Sequence, residues 1–176
     1  DTSGEDVTTL QFQNTGKANI FGLQASANVW LSRRVALFGN FTATDPQTTF
    51  ASATGADSSV VRTGDIAYWS ANAGVNFSLL RNKLNLNFRT NLVSEKPTGR
   101  NTSIAANPVT GIPGFSLFNA TIGYEVVNNV LVQMGCNNIF NQTYYSPGSH
   151  NADGITSAYQ VQQPLRNYFV KLVLNY

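Results

Sequence analysis

Apolar and polar residues alternate along this chain with a period of two. Between 66 and 79, Ala67, Trp69, Ala71, Ala73, Val75, Phe77 and Leu79 fall on one face, and Tyr68, Ser70, Asn72, Gly74, Asn76 and Ser78 fall on the other. A helix cannot produce strict alternation over that length; a strand does. Residues 84–92 repeat the pattern, with Leu84, Leu86, Phe88 and Leu92 against Asn85, Asn87, Arg89 and Asn91. In 115–126, Phe118, Ala120, Ile122, Tyr124 and Val126 oppose Asn119, Thr121, Gly123 and Glu125. At the end, Tyr168, Val170, Leu172, Leu174 and Tyr176 oppose Asn167, Phe169, Lys171, Val173 and Asn175. The pattern predicts eight strands, near 6–14, 17–31, 35–44, 65–79, 84–93, 115–126, 130–145 and 165–176. Most exceed the usual ~5–6 residues and reach the ~9–11 that a tilted bilayer crossing requires.

The connections alternate in length. Ser32-Arg33-Arg34, Leu80-Arg81-Asn82-Lys83 and Val127-Asn128-Asn129 read as tight turns, where asparagine tolerates the positive φ of short hairpins. Between them lie long segments near 45–64, 94–114 and 146–164, carrying Gly, Pro, Ser, Thr and Asp. Short turns at one end and long loops at the other are the sidedness of an outer-membrane barrel. The expected fold is therefore all-β, an antiparallel up-and-down transmembrane β-barrel segment of about eight strands.

Composition sharpens this. Only 11% of the 176 residues are charged, against about 25% in an ordinary soluble domain. Hydrophobic content, at 42%, has not risen to compensate. Asn, Gln, Ser, Thr and Gly fill the polar face where a soluble sandwich would carry Lys, Glu and Arg. The three charges well inside strands, Arg89, Glu125 and Lys171, all fall on the polar face and are expected to look into the lumen. On the apolar face a mid-membrane Lys or Arg would cost ~2–4 kcal/mol. Aromatic residues gather at the strand ends, with Phe41, Trp69, Phe118, Phe140 and Tyr168 toward the loops and Phe77, Tyr124 and Tyr176 toward the turns. Two such girdles mark membrane interfaces.

Other classes fall away. No apolar run approaches the ~18–20 residues of a spanning helix. Eleven Lys and Arg are spread along the chain against nine acids, so nucleic acid is not an expected partner. Nothing indicates catalysis or a cofactor: His150 has no motif linking it to a nucleophile and an acid. The run His150-Asn-Ala-Asp-Gly154 offers two possible ligands, short of a four-ligand metal site. Cys136, alone, excludes an internal disulfide.

Three stretches carry a family resemblance. Asn14-Thr-Gly-Lys-Ala-Asn-Ile-Phe-Gly-Leu-Gln24 resembles the N-x-G-K-A-x-x-x-G-h-E strand opening of TonB-dependent outer-membrane receptors, with Gln24 where an acid is usual. Leu131-Val-Gln-Met-Gly-Cys-Asn-Asn-Ile-Phe-Asn141, followed by Gln-Thr-Tyr144, resembles their penultimate-strand motif G-V-x-N-L-F-D-x-x-Y, with Asn141 for the usual Asp. Pro164-Leu-Arg-Asn-Tyr-Phe-Val-Lys-Leu-Val-Leu-Asn-Tyr176 resembles their terminal strand, with Lys171 where Gly is frequent. The order and spacing of the three cover nearly the whole chain.

The resemblance implies the C-terminal portion of a barrel of about 22 strands, residues 1–176 lacking the earlier strands and the N-terminal plug. It implies outer-membrane lipid around the wall, the plug of the same parent chain inside it, TonB acting through the absent N-terminal part, and the barrel assembly machinery reading the last strand. The location would be the outer membrane of a Gram-negative bacterium. The cargo would be a scarce nutrient, most often a ferric siderophore, with cobalamin or glycans as other family options. Loop residues Arg62, Lys96, Arg100, Tyr145 and His150 are the candidates for ligand contact, since Tyr and Arg are typical recognition residues. Two readings of other classes stand beside it. One is a complete eight-stranded barrel with a structural or adhesion role; the other is a soluble β-sandwich binding module.

Overall fold

The computed structural model describes residues 16–50, 59–62, 66–97, 111–147 and 160–174. Twelve strands follow in chain order: β1 Gly16–Ser32, β2 Val35–Phe50, β3 Ser59–Arg62, β4 Trp69–Leu79, β5 Leu84–Val93, β6 Lys96–Pro97, β7 Gly111–Ile112, β8 Phe115–Val127, β9 Val130–Asn137, β10 Tyr145–Pro147, β11 Gln160–Gln162 and β12 Asn167–Leu174. Seven of them form one meander, β1-β2-β4-β5-β8-β9-β12, with β3 added beside the upper half of β2. Every pairing is antiparallel. Two small hairpins, β6-β7 and β10-β11, stand in the long connections. Among the described residues the sheet is open, with β1 and β12 as unpaired edges. The complete eight-stranded barrel is not the arrangement seen here. The expected strand at 6–14 lies outside the described residues.

The tight turns close as their residues allow. Leu80, Arg81 and Asn82 have φ of 49°, 55° and 70°, and Asn129 has 70°. Ser32 Oγ accepts from Arg34 N at 3.1 Å in the first turn. Two boundaries differ from the expectation by more than five residues, and β4 starts at Trp69 rather than near 65. The strand predicted at 130–145 stops at Asn137, because Asn138 and Asn141 take positive φ (52° and 56°) and turn the chain. Strand β2 runs past 44 to Phe50, paired with β1 and then β3.

The sheet has no hydrophobic core among the described residues. Among the described residues Ile112 is the one buried hydrophobic side chain of its class, with Pro46 also enclosed. The apolar face stands open instead. Leu23, Val29, Leu37, Phe88, Ile122, Met134, Val170 and Leu172 are all at least 39% exposed. Register places them on one side: Val29, Leu37, Val75, Phe88, Ala120, Cys136 and Tyr168 form a single cross-strand row. An uncovered apolar sheet face is untenable in water and natural against lipid. This disposes of the soluble sandwich.

The loop-side girdle is assembled as expected. Phe41 stacks with Trp69 at 6.3 Å, and Phe140 meets Phe118 edge-on at 5.1 Å. Phe140 reaches this position from the turn after β9 rather than from a strand. Tyr168 is 73% exposed on the same face. Toward the turns, Phe77 packs edge-on with Phe88 and Tyr124 is exposed. Tyr176 lies outside the described residues.

Candidate functional site

The polar face is built from amides that bond to one another. Asn72 Nδ2 donates to Asn40 Oδ1 at 2.8 Å, Asn91 Nδ2 donates to Asn72 Oδ1, and Asn119 Nδ2 donates to Asn91 Oδ1 at 3.1 Å. Asn119 Oδ1 then accepts the backbone N–H of Asn138 at 3.0 Å. One continuous chain of hydrogen bonds therefore crosses β2, β4, β5 and β8 and ends in the turn after β9. A second rung lies nearer the tight turns, where Asn87 Nδ2 donates to Asn76 Oδ1 and Ser78 Oγ donates to Asn85 Oδ1. Each asparagine offers both a donor and an acceptor, so a row of them propagates where a row of carboxylates would repel.

The end of the chain is a knot. Asn138, 3% exposed, donates its Nδ2 to Gln142 O at 2.8 Å and accepts Gln142 N on Oδ1 at 2.9 Å. Gln142 Oε1 takes Ser116 N at 3.1 Å, and Asn141 Oδ1 takes Arg166 N at 3.0 Å. Strands β8 and β9 and the approach to β12 are thus tied at one point. Asn141 accepts this bond where the resembling motif has Asp, so the amide oxygen serves as the carboxylate would. Above the knot, Phe115 packs against Tyr144 at 4.8 Å, and Gln163 N donates to Tyr144 O. These contacts hold the base of the β10-β11 hairpin.

Three of the expected ligand-contact residues, Arg62, Lys96 and Tyr145, fall within the described residues, at the loop side. Lys96 lies in β6, half-buried, opposite Ile112. Tyr145 begins β10, half-buried, opposite Gln162. β7 and β10 lie in contact, which brings the two hairpins together. Arg62 ends β3 opposite Gln47, away from that pair in the topology. Arg100 and His150 lie outside the described residues.

The three strand charges occupy the amide face, as their parity requires. Arg89 faces Gly74 and Asn119 across its two neighbours, Glu125 faces Leu131, and Lys171 faces Gln133. No two of them are cross-strand partners. A recess of about 330 Å³ on this face is lined by Trp30, Arg34, Asn76, Asn87, Gln133 and their neighbours. The wall therefore offers amide hydrogen bonding with sparse charge, suited to contact with polar groups in a water-filled interior. Sequence parity located this face. It did not reveal the head-to-tail bonding or the role of Asn138, whose only signal was the crowding of asparagines at matching heights.

Comparison with known proteins places the chain. Residues 1–139 match the family model described as TonB dependent receptor-like, beta-barrel. No curated protein sequence matches. Among solved structures, the siderophore receptor PiuA from Acinetobacter baumannii is similar over 92% of this chain and 22% of its own, with 13% identity and a TM-score of 0.67. The ferric yersiniabactin uptake receptor FyuA from Yersinia pestis is similar over 93% and 24%, with 15% identity and a TM-score of 0.71. The copper transporter OprC is similar over 89% and 23%, with 17% identity and a TM-score of 0.64. The chain thus spans less than a quarter of the length of each of these structures.

Proposed function

Because the chain belongs to the TonB-dependent receptor β-barrel family, we propose that it is wall of an importer that takes up a scarce nutrient, a ferric siderophore first among the candidates. It is an outer-membrane β-barrel protein of the Gram-negative envelope, as members of this family are. The observation that carries the proposal is the two-faced meander, bare and apolar on one side and amide-lined on the other. Such a wall separates lipid from a polar passage and performs no chemistry on what passes. In this reading residues 1–176 are the C-terminal portion of a larger barrel. An N-terminal plug fills the lumen, TonB supplies energy through it, and the barrel assembly machinery takes up the last strand.

Siderophore cargo is supported by the likeness to PiuA, a siderophore receptor, and to FyuA, a ferric yersiniabactin uptake receptor; OprC, a copper transporter, carries the same architecture with other cargo. Lys96 and Tyr145 are the contact residues favoured here, since their hairpins touch, with Arg62, Arg100 and His150 completing the loop-side set. Arg89, Glu125 and Lys171 are the charges that would meet the plug, through charge-assisted hydrogen bonds. The test is uptake of radioactive iron in a strain lacking the full-length gene, with and without complementation, during growth on single ferric chelates. Loss of uptake for one chelate, restored by the gene, is the expected result. Undiminished iron uptake on every chelate, with cobalamin or a glycan dependent on the gene instead, would remove the siderophore assignment.

A further inference from the structure

Strand register in this wall is under-determined by the forces that shape it. Lipid on one face and water on the other forbid a one-residue slip, which would exchange the faces. A two-residue slip restores both the alternation and the backbone hydrogen bonds. Tight turns remove that freedom within β1-β2, β4-β5 and β8-β9. They do not act across β2-β4 and β9-β12, whose connections are long. Barrel closure fixes only the sum of the offsets around the ring.

We infer that a repeated inner-face module sets the register of these two pairs: an aromatic ring laid on a glycine, with an Asn–Asn bridge two residues nearer the loops. In β2-β4, Phe38 lies opposite Gly74, and Asn40 lies opposite Asn72. A Cβ at Gly74 would collide with the Phe38 ring and with the Phe88 carbonyl oxygen of β5, so the ring occupies space the glycine leaves on its β2 side. Asn72 Nδ2 bonds Asn40 Oδ1 at 2.8 Å. In β9-β12, Phe169 lies opposite Gly135, and Asn167 lies opposite Asn137. A Cβ at Gly135 would collide with the Phe169 ring in the same way, and Asn137 Nδ2 bonds Asn167 Oδ1 at 3.0 Å.

The module discriminates the slips that parity permits. Moving β4 by two residues in either direction puts Phe38 opposite Asn72 or Asn76, whose side chains fill the ring's place. It also puts Asn40 opposite Ser70 or Gly74, neither of which has an amide side chain. Moving β9 likewise puts Phe169 opposite Gln133 or Asn137. The ring-on-glycine contact and the bridge are lost together. Across β5-β8 the Asn91–Asn119 bridge runs diagonally, since Asn119 is opposite Arg89 and Asn91 is opposite Leu117. A shift of two in one direction would bring those amides face to face, so the bridge alone is no lock there.

The experiment is cysteine cross-linking in the full-length protein, in a Cys136→Ser background, in its native membrane. Thr42→Cys with Ser70→Cys reports the native register, because these residues are partners. Ala36→Cys with Ser78→Cys, and Thr42→Cys with Tyr68→Cys, report the two shifted registers. A disulfide needs Cα atoms about 4.4–6.8 Å apart, and a two-residue slip moves the strand by ~7 Å. Exchanging two residues of β4 (Gly74→Asn with Asn76→Gly) moves the glycine and supplies a new asparagine opposite Asn40 in the shifted register. The expected result is loss of the Thr42–Ser70 cross-link and gain of the Ala36–Ser78 cross-link. The gentler Phe38→Leu/Asn40→Ser variant, read in its membrane-inserted fraction, is expected to give shifted cross-links that the parent lacks, and decides the matter if the exchanged chain does not insert. Native cross-links alone in every variant that inserts would overturn the inference.

Discussion

Asn119 joins three segments through one amide. Its Oδ1 accepts from Asn138 N, its Nδ2 donates to Asn91, and it is 7% exposed. Alanine at this position leaves a buried backbone N–H without an acceptor, and such an orphaned group costs about 1–3 kcal/mol. Asn119→Ala should therefore lower the urea midpoint of the full-length protein in detergent by that equivalent. Asn119→Asp, which keeps the acceptor, should lose less. Equal midpoints for the parent and Asn119→Ala would mean that water replaces the amide at no cost. The sequence placed Asn119 on the polar face. Its partners lie 19 and 28 residues away, so no local pattern pointed to them. Asn138 is hidden for another reason: the alternation predicts strand there, whereas its positive φ makes it the turn that ends one.

At the scale of the element, neighbouring positions on one strand face different solvents. Val75 lies on the lipid side of β4 and Asn76 on the amide side. Lysine at the first buries a cation in hydrocarbon, at ~2–4 kcal/mol near the midplane. Lysine at the second loses one Asn–Asn bond and meets water. Val75→Lys should thus reduce the heat-modifiable, membrane-inserted fraction of the full-length protein sharply, and Asn76→Lys should leave most of it. Comparable loss in both would contradict the assignment of faces. The same physics explains what could be read from the sequence. Alternation located β4, β5, β8 and β12 because lipid imposes it residue by residue. Beyond the membrane boundary that pressure ends while backbone pairing continues. Residues Asp45–Phe50 extend β2 with Asp-Pro-Gln-Thr-Thr-Phe, a run without an apolar stripe whose composition predicts loop. The hairpins carrying Lys96 and Tyr145 are silent in the pattern likewise: strands of two or three residues leave no period to detect.

At the scale of the whole molecule, the described sheet is a wall with two open edges and one apolar face, and neither feature is tolerable in water. β1 and β12 each present a row of unpaired backbone donors and acceptors, a template for pairing with another copy. The face between them exposes Leu37, Phe88, Ile122, Val170, Leu172 and their neighbours, with no core behind it to hold the sheet together. Folding alone would leave this surface against water, so the hydrophobic effect favours association over a monomeric sheet. Low charge removes the remaining defence: a net charge of +2 over 176 residues gives little repulsion between copies. The isolated 176-residue chain, diluted from denaturant into buffer, should therefore form large assemblies visible by light scattering, with no monomer peak on gel filtration. In detergent micelles the apolar face is covered but the edges are not. Strand signal should then appear in circular dichroism without the heat-modifiable migration of a closed barrel. A monodisperse monomer in buffer would show that the apolar face is covered in some other way, and a heat-modifiable monomer in micelles would show that β1 and β12 find partners within these 176 residues.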